Sequence, residues 1–246
     1  MENLYIVIPA YNEEMNIEAV AREWHTVVEK IGGKSKLVII NDGSKDNTYK
    51  KLLSLKEELT YLEPIDKPNS GHGATVLYGY NYALENNADF IFQTDSDGQT
   101  LPEEFWKFWD KRNECSAIIG YRNKRQDGIS RVFVTKTLKL VLSIIFGLKI
   151  TDANTPFRLM SKETLENHIS RIPKDFNLSN VILTVSLIYS KEKVEFIPIT
   201  FRPRQGGVNS INLKRIFKIG IQAVKDFYSI KKEMKYWEDN KSIANA

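Results

Sequence analysis

Short apolar runs alternate with polar, helix-patterned stretches along the first half of the chain. Leu4-Tyr5-Ile6-Val7-Ile8 is a continuous apolar, β-branched run that stops at Pro9-Ala10-Tyr11-Asn12-Glu13-Glu14. Its length and abrupt end predict a buried strand, then a loop, then a helix. Leu37-Val38-Ile39-Ile40 repeats the pattern and opens onto Asn41-Asp42-Gly43-Ser44-Lys45-Asp46-Asn47-Thr48, where Ser44 or Asp46 can cap the next helix. Lys67-Pro68-Asn69-Ser70-Gly71-His72-Gly73-Ala74 precedes a helical segment through Leu84, and Asp89-Phe90-Ile91-Phe92 is a further buried strand. Strand, loop and helix thus recur from Leu4 to Trp109. This predicts an α/β protein with a central, mainly parallel sheet flanked by helices, whose ligands bind outside the carboxyl ends of the strands.

Beyond Trp109 the pattern is looser. Ser116 to Ile119 and Val194 to Thr200 read as strands, and Val132 to Phe146 as a helical run. Leu138 to Leu148 is very apolar, is flanked by Lys136, Lys139 and Lys149, and is too short to span a bilayer. Ile211 to Trp237 reads as one long amphipathic helix with a lysine-rich polar face. Such a helix either packs on a domain or lies on an anionic membrane.

The segment after the fourth run, Gln93-Thr94-Asp95-Ser96-Asp97-Gly98-Gln99, carries the most distinctive chemistry. At a strand end Asp95 and Asp97 can turn toward one ion, and Gln99 offers a third oxygen. Hard cations such as Mg²⁺ and Mn²⁺ take oxygen ligands, and Mg²⁺ often uses one or two carboxylates plus substrate phosphates.

In order and approximate spacing, Ile8-Pro9-Ala10-Tyr11-Asn12-Glu13-Glu14, Asn41 to Thr48, Asn69-Ser70-Gly71-His72-Gly73-Ala74 and Asp95-Ser96-Asp97-Gly98-Gln99 resemble the motif series of family 2 glycosyltransferases. Within that family the chain is similar to bacterial surface-polysaccharide enzymes and to polyprenyl-phosphate sugar synthases such as dolichyl-phosphate mannose synthase. The resemblance implies a GT-A, Rossmann-like nucleotide-sugar-binding fold and metal-dependent, inverting transfer from a nucleotide-diphosphate sugar. The acceptor it implies is polyprenyl phosphate or a growing cell-surface glycan. It places a GT-A domain over 1–210, with a nucleotide-sugar half at 1–122 and an acceptor half at 123–210. A C-terminal helix and tail then occupy 211–246.

The resemblance also distributes roles. Pro9, Ala10, Tyr11 and Glu13 line the nucleoside pocket, Asp42 accepts from base or ribose, and Gly71 and Gly73 bring backbone close to the ligand. Asp95, Asp97 and Gln99 hold Mg²⁺ or Mn²⁺, with Asp95 also at the donor. Arg122 and Arg131 face phosphate, because a planar guanidinium donates two parallel bonds. Asp152 lies beside the reacting sugar. Arg204 and Ser210, in Phe201-Arg202-Pro203-Arg204-Gln205-Gly206-Gly207-Val208-Asn209-Ser210, contact the diphosphate from a closing loop. Lys67 reads as a surface lysine and His72 as a loop residue. Hydroxyl-glycosylating relatives often carry a carboxylate base near the start of the next helix. Here Asp175 is the sole acid in Lys174 to Ile182, which favours an acceptor that is already ionised.

Composition adds little. The chain has 246 residues, 42% of them hydrophobic, enough for one sizeable core. Its net charge of +4 suits polyanionic substrates without indicating nucleic acid. Cys115 is the single cysteine and no signal-peptide pattern opens the chain, so a cytoplasmic setting is expected, with peripheral contact at the inner face of the membrane and room for a homo-oligomer. Two other readings compete. A sugar-phosphate nucleotidyltransferase usually carries a glycine-rich, basic first loop, whereas Pro9 to Glu14 is acidic and lacks glycine. A non-catalytic nucleotide-binding module has no need of Asp95, Asp97 and Gln99 together.

Overall fold

The structure, a computed structural model, describes residues 2–122, 129–174, 176–203 and 222–236, with 129–134 as backbone only. Seven strands form one sheet: β1 (Leu4–Ala10), β2 (Lys36–Asp42), β3 (Leu62–Lys67), β4 (Phe90–Gln93), β5 (Ala117–Arg122), β6 (Arg158–Ser161) and β7 (Val194–Ile199). Their order is β3-β2-β1-β4-β6-β5-β7. All neighbours are parallel except β6, which runs antiparallel to both β4 and β5. The helices are α1 (Ile17–Ile31), α2 (Thr48–Glu58), α3 (His72–Glu85), α4 (Trp106–Trp109), α5 (Ile129–Phe146), α6 (Lys162–Ile169) and α7 (Ser179–Tyr189), with a further helix over 222–236.

Both faces of the sheet are covered, which is why β1 and β2 read as unbroken apolar runs rather than as alternating ones. Leu4, Ile6 and Ile8 pack with α1, α2, Phe105 and Phe108 on one face. Tyr5 and Val7 pack with α3, α5, α7 and the 222–236 helix on the other. On the first face Trp24 lies 5.3 Å from Phe92, and Phe92 meets Phe157 edge-on at 4.7 Å, so α1 is tied to β4 and to the entry of β6. Fully burying one side chain of this size contributes about 1.5–3 kcal/mol.

The chain progresses from β1 outward to β2 and β3, then returns to place β4 on the other side of β1. The crevice therefore opens between the carboxyl ends of β1 and β4, where a doubly wound sheet accepts its ligand. β6 was not expected; the sequence pattern over 151–158 reads as a loop. The expected amphipathic helix is present over 222–236, while 211–221 and Trp237 lie outside the described residues. Its apolar stripe, Phe227, Ile230 and Met234, is buried, with Phe227 6.0 Å from Phe146 of α5.

Candidate active site

A cleft of about 390 Å³ sits at that crevice, lined by Pro9, Ala10, Tyr11, Glu13, Asp42, Asn69, Gly71, His72, Thr75, Asp95, Ser96 and Asp97. The first two loops are laced together beneath it. Asn12 N donates to Ser44 Oγ, Glu13 N to Thr48 Oγ1 and Glu14 N to Asp46 Oδ2, at 2.9, 2.9 and 3.1 Å. The N-cap position of α2 is Asn47 rather than Ser44 or Asp46; Asp46, one residue earlier, accepts from Thr48 N through Oδ1 at 3.0 Å, and Ser44 serves the neighbouring loop. Tyr11 is left with an exposed ring, the kind of face on which a base stacks.

Asp42 ends β2 as a buried carboxylate. Its Oδ1 accepts from Lys67 Nζ and from Ser70 N (2.8 Å), and its Oδ2 accepts from Gly71 N at 2.9 Å. Burial pushes its pKa up, but the Lys67 ammonium and the Ser70 and Thr75 donors outweigh burial and hold it below the usual carboxylate range. Lys67 is not a surface lysine. Its ammonium also donates to Pro68 O, Ser70 Oγ and Thr75 Oγ1, and 13% of its side chain is exposed. The pair fixes the loop that leads into α3.

Asp95, Ser96 and Asp97 form the opposite wall. The loop is closed by a Thr94–Thr100 hydroxyl bond of 2.8 Å and by Gln99 N donating to Asp97 Oδ1 at 3.1 Å. Gln99 does not line the cleft; its Nε2 donates to Arg202 O at 3.2 Å. His72, the first residue of α3, reaches across so that Nε2 lies 3.1 Å from Asp95 Oδ1. Burial lowers the His72 pKa, yet the bond to Asp95 and its charge raise it on balance. Among the described residues no group of three or more His, Cys, Asp or Glu side chains gathers as a metal cluster.

The two glycines of the third loop differ. Gly71, at φ +89°, lines the cleft, whereas a side chain on Gly73 would bring its Cβ within 2.1 Å of Phe176 O and 2.7 Å of Asn177 O, so Gly73 lets α3 approach the backbone of the segment before α7. Nearby, Arg158 of β6 is fully buried. Its guanidinium donates to Thr155 O, Ala153 O, Asn180 O and Thr184 Oγ1, binding the Asp152 loop to the first two turns of α7. Desolvation lowers its pKa, and the charges of Asp152 and Asp95 act on it through space. Asp152 itself is buried, with Oδ1 accepting from Asn154 N at 3.2 Å.

The arginines expected to face phosphate divide. Arg122 ends β5 with its guanidinium 3.7 Å from the centre of the Phe201 ring, a cation–π stack that joins β5 to the exit of β7. Arg204, Ser210 and Asp175 lie outside the described residues, as does the side chain of Arg131. Sequence patterns alone do not single out Lys67, His72, Arg158 or Arg202, because each acts through partners distant in sequence.

The model of the family described as glycosyl transferase family 2 matches residues 5–169, and the chain belongs to that family. It is 22% identical over 222 residues to the undecaprenyl-phosphate 4-deoxy-4-formamido-L-arabinose transferases of Salmonella paratyphi B and Salmonella typhimurium. That similarity covers 89% of this chain and spans 65% of those relatives' length. Among solved structures, glucosyl-3-phosphoglycerate synthase from Mycobacterium tuberculosis, in complex with Mn²⁺, UDP and glucosyl-3-phosphoglycerate, superposes with a TM-score of 0.67 at 14% identity, over 94% of this chain and 80% of that one. S. aureus TarS in complex with UDP-GlcNAc gives a TM-score of 0.60 at 14% identity, over 94% and 70% of the two chains. These likenesses establish the fold expected from the sequence.

Proposed function

We propose that the cleft binds a nucleotide-diphosphate sugar and that the chain transfers the sugar, with inversion, to polyprenyl phosphate. One observation carries the reading: the Asp95 and Asp97 wall faces the Tyr11 and Asp42 wall across a single cleft at the sheet's switch point. The base stacks on Tyr11, and Asp42, pre-set by Lys67, accepts from base or ribose. The diphosphate lies toward Gly71 and the α3 N-terminus, whose backbone amides favour an anion. Pro9 and Ala10 supply backbone at the nucleoside, and Glu13 closes its edge.

The donor set fits a hard divalent cation. It is all oxygen and has few carboxylates, which suits Mg²⁺ or Mn²⁺ sharing phosphate oxygens. Asp95 and Asp97 would hold the ion; when bound, it neutralises charge on the departing diphosphate. Asp152 lies by the acceptor, on a loop that Arg158 fixes. Arg122 and Arg204 contact phosphate, and Ser210 joins Arg204 in the loop after β7. An acceptor phosphate oxygen forms the new bond to the anomeric carbon while the bond from that carbon to the diphosphate breaks. The leaving group is the nucleoside diphosphate. No base is needed, because the phosphate is ionised at neutral pH.

Acceptor and location rest on two supports. The curated relatives bear the name of undecaprenyl-phosphate sugar transferases. On the surface, Leu140 and Ile144 of α5 are exposed beside Lys136 and Lys139, and Tyr228 and Tyr236 of the 222–236 helix are exposed among Lys225, Lys232 and Lys235. Apolar and aromatic residues mixed with lysine suit peripheral contact with an anionic leaflet. No helix among the described residues is long and apolar enough to cross a membrane. The test is sugar transfer from labelled nucleotide sugars into an organic-soluble product with a short polyprenyl phosphate. Transfer to a free oligosaccharide alone would replace this acceptor with a glycan hydroxyl, and Asp152 or Asp175 would then be its base.

A further inference from the structure

The loop that carries Asp97 and Gln99 is fastened by a residue from the far end of the sheet. Arg202 follows β7, and its backbone N donates to Gln99 O at 2.9 Å. Gln99 Nε2 returns the bond to Arg202 O at 3.2 Å. The Arg202 side chain then divides: Nε donates to Gly98 O, and Nη2 donates to Glu23 Oε2 of α1 at 2.5 Å. Both carbonyls that follow Asp97 are thus taken by one residue, which is itself held by α1. Gly98, at φ +70°, turns the chain in the left-handed region between them.

This arrangement bears on cation binding through Asp97. Donation through Nε2 commits the Gln99 side chain to Arg202, outside the cleft. Gln99 N in turn donates to Asp97 Oδ1 at 3.1 Å, so a shift of the Gln99 backbone moves the Asp97 carboxylate with it. Glu23 neutralises the guanidinium, so its contribution is geometric rather than a matter of net charge.

We propose that Arg202 is a positioning residue that sets Asp97, through the Gln99 backbone, for the divalent cation of a bound nucleoside diphosphate. The proposal rests on the donor-site reading above. A lysine keeps the charge but cannot hold Gly98 O and Glu23 together. Arg202→Lys and Arg202→Ala should therefore both weaken Mn²⁺-dependent binding of nucleoside diphosphate, by about tenfold or more, the range found for groups that orient metal ligands. Binding of the same nucleotide without metal should be unchanged.

Calorimetric titration of the full chain with UDP and with GDP, each with and without Mn²⁺, reads this directly beside a thermal melt. Glu23→Gln, which keeps the shape of the partner, should weaken metal-dependent binding in the same direction by about threefold, as a partly exposed ion pair allows. It serves as the test if the Arg202 variants do not fold. Loss confined to the metal-dependent term supports the proposal. Equal affinity in wild type and variants, or equal loss with and without Mn²⁺, overturns it. Wild-type protein that binds neither nucleotide in any condition overturns the donor-site reading instead.

Discussion

His72 Nε2 lies 3.1 Å from Asp95 Oδ1, joining the first residue of α3 to the loop after β4 across the mouth of the cleft. The two residues are 23 positions apart. A histidine between two glycines reads as an incidental loop residue in the sequence, yet the fold sets it against one of the two cleft carboxylates of the loop after β4. A group that bonds one oxygen of a ligating carboxylate fixes its rotamer and leaves the second oxygen to the ion.

His72→Ala should accordingly weaken Mn²⁺-dependent nucleotide binding by about 10- to 100-fold. His72→Gln, which retains a donor, should recover part of that loss. Quenching of protein fluorescence by Mn²⁺ in the presence of UDP measures both, and an unchanged affinity for His72→Ala would remove His72 from the site.

The Asp42–Lys67 pair should be costly to break from one side. Lys67→Met leaves a carboxylate in a site with 5% exposure and should destabilise the protein by about 3–5 kcal/mol, whereas Lys67→Met combined with Asp42→Asn should regain much of the loss. Urea unfolding of the two variants beside wild type checks the difference.

The same pair gives a pH dependence. The Asp42 carboxyl is held below its ordinary value in the folded state, so its contribution is fully present above the unfolded pKa of about 3.9 and fades as pH falls through the folded value. The stability gap between wild type and Asp42→Asn should be flat from neutral pH down to about pH 5, and should shrink below about pH 4. A gap that grows on acidification would contradict the assignment.

The parallel half of the fold was legible because β1, β2 and β4 are buried on both faces and so appear as unbroken apolar runs. β6 was not, since Arg158-Leu159-Met160-Ser161 is short and opens on a charged residue whose acceptors, Asn180 O and Thr184 Oγ1, come from α7. The cleft residues Tyr11, Asp42, Asp95 and Asp97 were legible because each stands at a strand end or in the loop that follows one. Lys67 and Arg202 were not: a lysine near Pro68 and an arginine near Pro203 look like exposed turn residues until the fold supplies Asp42 and Gly98. The 222–236 helix shows its amphipathic pattern in sequence, but only the structure shows that Phe227 and Ile230 face the core and Tyr228 and Tyr236 do not.

Gly73→Ala tests the backbone contact beneath the cleft. The added Cβ meets Phe176 O and Asn177 O, neither of which is the end of a flexible side chain. Destabilisation of about 1–3 kcal/mol is expected, which for a domain of this size lowers the melting temperature by about 2–4 °C per kcal/mol. An unaltered melt would show that the segment before α7 yields freely.

Turnover of nucleotide sugars tests the central claim most directly. Wild type and Asp97→Asn are each incubated with a panel of nucleotide sugars, Mn²⁺ and a short polyprenyl phosphate, and nucleoside diphosphate is measured. A parallel incubation of wild type with sugar 1-phosphates, nucleoside triphosphates and Mn²⁺ is assayed for pyrophosphate. The account predicts that wild type releases nucleoside diphosphate from one member of the panel, that Asp97→Asn folds but releases little, and that no pyrophosphate forms from sugar 1-phosphate and nucleoside triphosphates. Pyrophosphate release, or equal nucleoside diphosphate release by wild type and Asp97→Asn, would contradict it.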